Sequence, residues 1–207
     1  AKELRIVSWN LDDLNVIDYK DVVKISKITR FVQNYDIAVL QGVNNFYENN
    51  DSLCYLNSFA PETEEYKFVE RSLRERLPSY YNISMSEYIG DQRYMFIWNS
   101  RRIKNVKDIQ IIFEGQQLEM NAAMCSTKEA GQMVRDPYFA NFETEQFNFS
   151  IINVNLDEDF NISGWEAQYV DRIMKAMYGR FVQYAPAFVM GTINMCKEDL
   201  HGYFLGY

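Results

Sequence analysis

Between Leu4 and Asn10 the chain alternates apolar and polar residues (LRIVSWN) and then gives way to Asp12 and Asp13, the pattern of a strand running out into a turn. Val22, Val23, Ile25, Ile28, Phe31 and Val32 recur near helical spacing and predict a helix over Asp21 to Gln33. Ile37 to Gln41 (IAVLQ) is short and almost continuously apolar, as suits a strand covered on both faces. Strand, helix and strand in that order make a crossover unit. A second such order comes late: Ser150 to Asn155, a helix from about Trp165 to Val182, and Ala187 to Gly191.

The middle has a different rhythm. Tyr66 to Glu70, Arg93 to Trp98, Ile109 to Phe113, Tyr138 to Phe142 and Phe147 to Ile152 are short alternating or aromatic segments divided by polar turns, as in an antiparallel meander. Glu114 to Val134 carries no clear period and reads as a long loop. No internal repeat, low-complexity tract or linker divides the chain, so the expectation is a single mixed α/β domain over residues 1–207.

Composition narrows what such a domain can do. Aromatics reach 15%, which points to a sheet-rich core or an adhesive face, because large rings cover much area in both. The formal charge of −8 repels polyanions and makes nucleic acid an unfavoured partner unless a local basic groove exists. Cys54, Cys125 and Cys196 are odd in number and widely spaced, so they signal neither a disulfide framework nor a zinc cluster and read as free thiols. With His201 the one histidine, a multi-histidine metal site cannot be built. No apolar run approaches the ~20 residues of a membrane span. No signal peptide is visible at Ala1, but a processed chain would look the same, so the compartment stays open. The N-x-S triplets at Asn82, Asn148 and Asn161 matter only on a secreted chain.

Six segments, taken in order, carry a family resemblance: SWNL (Ser8 to Leu11), DIAVLQGV (Asp36 to Val43), DQRYMFIWN (Asp91 to Asn99), VRDP (Val134 to Pro137), FSIINVNL (Phe149 to Leu156) and FVMGTIN (Phe188 to Asn194). They resemble, in sequence order and spacing, the deoxyribonuclease I branch of the endonuclease/exonuclease/phosphatase family, across roughly Leu4 to Asn194. The resemblance implies a four-layer α/β sandwich: two packed mixed β-sheets flanked by helices. It also implies that the family's C-terminal strands are absent here, supplied by a partner, or outside this chain. An exposed sheet edge would invite pairing, which points to an obligate partner.

The same resemblance implies lost chemistry. Where active relatives carry a metal-binding Glu after the Gln of the second strand, this chain has Gly42, which offers no oxygen to a hard cation. The Glu that orients a catalytic histidine is Gln92, an amide that cannot stabilise an imidazolium by charge. The catalytic histidine itself falls on Asn155, which is neither acid nor base near neutral pH. The Asp of the family's Gly-Asp-x-Asn motif is Thr192. The closing Ser-Asp-His motif is missing, and His201 lies too close to Asn194 to replace it. Asn10, Arg135 and Asn194 still match the family. Each can be read as a structural tie or as part of a vestigial phosphate pocket. Against the pocket, Asp12 and Asn45 stand where the family carries arginines. These losses leave no metal and no cofactor expected.

Other clusters read blandly. Asp12 and Asp13 with Asn10 could hold a cation but suit a turn better, and Asp157, Glu158 and Asp159 make a solvated acidic loop. Basic residues gather at Arg71 to Arg76 and at Arg101 to Lys107, the latter reading as the wet side of a hairpin. Actin binding, which the resemblance would place on a strand over Tyr66 to Ser72, is not carried over because Glu70 stands where an apolar contact is required. The leading expectation is a non-catalytic pseudo-nuclease that serves as a scaffold for protein partners within a larger assembly. The alternatives are a divergent metal-dependent phosphodiesterase with a rearranged site around Asn10, Asp12, Asp13 and Asn194, and a non-catalytic binder of nucleic acid or phosphoinositide through Arg135 and the basic clusters.

Overall fold

The computed structural model describes residues 3–14, 21–43, 70–86, 92–112, 135–156, 164, 166–168, 170–171 and 186–195. Strand β1 (Ile6–Leu14) leads through helix α1 (Val22–Val32) into β2 (Ile37–Val43), and β1 and β2 pair in parallel. This is the predicted crossover. The helix starts where the Asp21 side chain accepts hydrogen bonds from the amides of Val23 and Lys24, at 2.9 and 3.1 Å, satisfying two of the donors that a first turn leaves open. Its inward stripe is Ile25, Ile28, Thr29 and Val32.

Strands β3 (Tyr81–Met85) and β4 (Arg93–Asn99) complete the first sheet antiparallel to each other, giving the order β1-β2-β4-β3. The second sheet holds β5 (Asn105–Ile111), β6 (Tyr138–Glu143), β7 (Asn148–Asn155) and β8 (Ala187–Thr192) in the order β5-β6-β7-β8. There β5, β6 and β7 are antiparallel neighbours, the meander read from the sequence, and β7 and β8 are parallel.

Three apolar clusters stack these parts into four layers. Ile37, Val39, Tyr94 and Phe96 of the first sheet pack against Tyr138, Ala140, Phe142, Phe149 and Ile151 of the second, which is the central sandwich contact. On the outer side of the first sheet, Ala38, Leu40, Met95 and Ile97 meet Ile25, Ile28 and Val32 of α1 together with Leu73 and Leu77. On the outer side of the second, Phe139, Ile152 and Val154 meet Ala167 and Val170 from the helical residues 166–168 and 170–171. The expected α/β sandwich of two mixed sheets is what forms.

Several local readings differ. Residues 70–74 are helical, so Glu70 opens a helical turn and does not close a strand. Strand β3 was not anticipated, although Tyr81, Ile83 and Met85 alternate with Asn82 and Ser84. Strand β5 begins earlier than Ile109, because an edge strand facing solvent on one side carries little apolar signal. The basic run from Arg101 to Lys107 is no hairpin: β4 and β5 lie in different sheets, and the turn between them steps across the sandwich with Ile103 buried. The predicted loop over Glu114 to Val134, the acidic run at 157–159, Asn45, the cysteines and His201 lie outside the described residues, except Val134's neighbour Arg135.

Candidate functional site

One end of the sandwich gathers the carboxyl ends of β1, β2, β7 and β8 and the amino end of β4. Here β2 makes a left-handed step at Gly42, with φ of 66°, and the register shifts against both β1 and β4. A glycine suits that backbone, because a Cβ in the left-handed region meets its own carbonyl. The step turns the Gly42 amide toward Gln92, whose Oε1 accepts it at 2.9 Å.

The same Gln92 oxygen accepts a second hydrogen bond, from Asn155 Nδ2 at 2.8 Å. Gln92 and Asn155 are buried, so the pair is shielded from water. Asn155 is held at its backbone as well: its amide donates to the Tyr94 hydroxyl at 3.0 Å. Burial pushes that hydroxyl well above the ordinary tyrosine range, with the hydrogen bond from the Asn155 amide and then the charge of Arg135 pulling the other way and Glu166 and Asp136 adding to the rise. Tyr94 is therefore a neutral hydrogen-bonding group across the physiological range.

Thr192 is the register partner of Asn155 on β8, and its carbonyl accepts the Leu156 amide at 2.9 Å. Asn194, just beyond, adopts φ of 52° and donates through Nδ2 to the Leu156 carbonyl at 2.8 Å. This ties the loop after β8 to the end of β7, the kind of local tie for which asparagine is suited. Asn10 lies opposite Gln41 in the β1–β2 register. All seven singled-out positions, Asn10, Gly42, Gln92, Arg135, Asn155, Thr192 and Asn194, thus come to this end, and three of them share one hydrogen-bonded network. The side chains of Asp12 and Asp13 lie outside the described residues.

A second buried amide pair at this end escaped the sequence reading. Gln41 Nε2 donates across the sandwich to Asn153 Oδ1 at 2.7 Å, and Asn153 Nδ2 returns to the Leu40 carbonyl at 3.0 Å. Both side chains are buried. Their signal was present: a polar amide interrupts each of two apolar strand runs, and a buried amide needs a partner. Gln41 Oε1 and Gln92 Nε2 have no protein partner.

The arrangement can orient amides but offers little to a cation. Gly42 brings no ligand, the Gln92 oxygen is occupied by two N–H donors, and the buried Gln41 Oε1, which has no protein partner, is a neutral amide. Among the described residues no three His, Cys, Asp or Glu side chains come together as a metal site would need. The divalent ion that the family resemblance implies does not fit these residues.

At the opposite end of the sandwich an open concavity of about 110 Å³ is lined by Leu4, Arg101, Arg102, Thr144, Glu145, Gln146 and Phe147. Its cations are held by the chain itself. Arg102 pairs with Asp36 at 3.5 Å and donates to the Glu3 carbonyl at 2.8 Å, and the Arg101 guanidinium lies 3.9 Å from the centroid of the Tyr80 ring.

Solved structures share the fold. A form of D. rerio TDP2 humanized by 14 mutations superposes with a TM-score of 0.58 at 16% identity, covering 98% of this chain and 67% of its own. An endonuclease/exonuclease/phosphatase family protein from Leptotrichia buccalis gives 0.58 at 13%, with 97% and 73% covered. ANGEL2, a 2',3'-cyclic phosphatase, gives 0.54 at 11%, with 94% and 53% covered. The chain has the deoxyribonuclease I-like fold of the endonuclease/exonuclease/phosphatase superfamily. It spans about half to two thirds of the length of the TDP2 structures it resembles. No family model and no curated protein matches its sequence.

Proposed function

We propose that this chain is a catalytically degenerate member of the superfamily whose fold it has, and that it works as a scaffold for protein contacts and not as a hydrolase. The observation that carries the reading is the buried amide network. At the positions where the family resemblance puts a metal-binding carboxylate, a carboxylate that orients the catalytic histidine, and that histidine itself, the chain has Gly42, Gln92 and Asn155, bonded to one another at 2.9 and 2.8 Å. A phosphodiesterase of this fold needs a group that can carry a proton and a group that can grip a cation. Neutral amides do neither, and groups that act as a unit fail as a unit.

The network also explains why loss of chemistry leaves the fold intact. Each replaced group still makes a hydrogen bond, so the strand ends stay tied to one another. Protein contacts suit a surface away from that end: Phe147, just before β7, and Phe188 on β8 are 46% and 43% exposed, both within ring contact of the buried Phe149.

The test is hydrolysis. Purified protein incubated with supercoiled plasmid and with a 2',3'-cyclic nucleotide, in Mg²⁺, Mn²⁺ or Ca²⁺, is expected to leave both intact. Cleavage that tracks the pure protein and is abolished in the Asn155→Ala variant would sink the reading.

A further inference from the structure

One face of the surface stands out by its charge. Helix α1 buries Ile25, Ile28, Thr29 and Val32, which leaves Val23, Lys27 and Arg30, spaced by four and then three residues, as the crest of its solvent side. Beside it on the same side of the first sheet runs the segment 70–77, joined to the helix through the Leu73 and Leu77 packing and by Gln33 Nε2 donating to the Arg76 carbonyl at 3.5 Å. Together, residues 21–35 and 70–77 hold six Lys and Arg against three Asp and Glu, a net of +3 on a chain whose formal total is −8. The basic run at Arg71 to Arg76 therefore belongs to a patch with Lys24, Lys27 and Arg30, sequence neighbours of neither Arg71 nor Arg76.

The patch is not purely polar. Val22 and Val23, just ahead of Lys24, are 59% and 63% exposed, and Phe31, directly after Arg30, is 39% exposed. Phe31 is steadied by ring contacts with Trp9 and Tyr35 at 4.9 and 5.2 Å. A phosphate backbone rewards the cations but gains nothing from the two valines. An acidic peptide would be cradled by a groove, whereas a helix lying on a sheet is convex. Cations with short apolar side chains between them, on a helix whose axis can lie in the plane of contact, match the boundary between anionic headgroups and acyl chains.

We propose that the outer face of α1, with the adjoining segment 70–77, is a peripheral docking surface for an anionic lipid bilayer. The excess negative charge elsewhere does not forbid this, because charges more than about 8–10 Å from the surface are screened at physiological salt. The proposal is independent of whether the amide site hydrolyses anything.

Full-length protein is mixed with sucrose-loaded vesicles of phosphatidylcholine, with and without phosphatidylserine, and pelleted. Binding to the serine-containing vesicles alone, weakening as salt rises, is expected. The Lys27→Ala, Arg30→Ala double variant should bind at least roughly tenfold more weakly, at about fivefold for each surface cation lost. Val23→Ser should weaken binding without changing its salt dependence, and Lys104→Ala, at the far end of the sandwich, should leave it unchanged. All four side chains are exposed, so melting temperatures should match the parent and any loss reads the surface. Absence of binding, equal binding to neutral vesicles, or indifference to the double variant overturns the proposal. So does salt-sensitive oligonucleotide binding through Lys27 and Arg30 in place of vesicle binding.

Discussion

At the scale of single residues, two glycines hold backbone that other residues cannot. A Cβ on Gly191 would lie 1.8 Å from the Val154 carbonyl oxygen, with φ at 145°, so β8 can approach β7 only because this side chain is missing. Gly191→Ala is expected to cost at least ~2–3 kcal/mol in urea melts, since the obstacle is backbone in the paired strand. Gly42 sits at φ of 66°, which gives the residue a structural reason to be glycine besides any lost chemistry. Restoring a carboxylate with Gly42→Glu should therefore destabilise the protein by at least ~1–2 kcal/mol and bring no Mg²⁺-dependent rise in melting temperature. Tyr94 gives a pH signature. Its hydroxyl stays protonated in the fold above the ordinary value of 10.0, whereas the unfolded chain ionises there. Its contribution is therefore complete below about pH 10 and is lost as the pH climbs beyond it. Urea melts across that range should show falling stability, and Tyr94→Phe should flatten part of the fall while costing ~1–3 kcal/mol at neutral pH, because the Asn155 amide loses its acceptor.

At the scale of elements, the crossover β1-α1-β2 depends on a helix that starts where it does. Asp21 closes the first turn of α1, and Asp21→Ala should lower stability by ~1 kcal/mol, measured by chemical denaturation. The two sheets are joined by polar as well as apolar contacts: Gln41 to Asn153 at the site end, and Ser84 Oγ sharing a hydrogen bond with the Tyr138 hydroxyl at 2.9 Å. Asn153→Leu should cost more than Ser84→Ala, because the first takes a partner from two buried groups of β2, the Gln41 amide and the Leu40 carbonyl, while the second removes a bond that is only partly buried.

At the scale of the molecule, the two sheets repeat one pairing pattern: an antiparallel pair, a second antiparallel pairing, then a parallel pair made by a crossover. Packing them face to face puts the strand ends that carry Gly42 and Gln92 beside the end that carries Asn155. The amide network and the basic helical face are then separate features: one at an end of the sandwich, the other on an outer side. Charge substitutions on the helical face are expected to leave the site end untouched, which a matched set of melting curves would check.

Much was legible from the chain alone, and the reason is periodicity. Alternation and helical spacing are local, and they located α1, both crossovers and most strands, while ordered motif fragments pointed to the sandwich. Reading failed where burial contradicts local pattern: β5 is an exposed edge strand with a weak apolar signal, and β3 hides among tyrosines and polar residues beside a turn. Which side chains meet is a different matter. Gln92 reaches Gly42 across 50 positions and Asn155 across 63, and Gln41 finds Asn153 across 112. Those meetings depend on strand order, register and a bulge in β2, which are fixed by packing over the whole core. The amino-acid sequence determined which residues could not carry charge or bind metal; only the tertiary structure decided that they would bond to one another at one end of the fold.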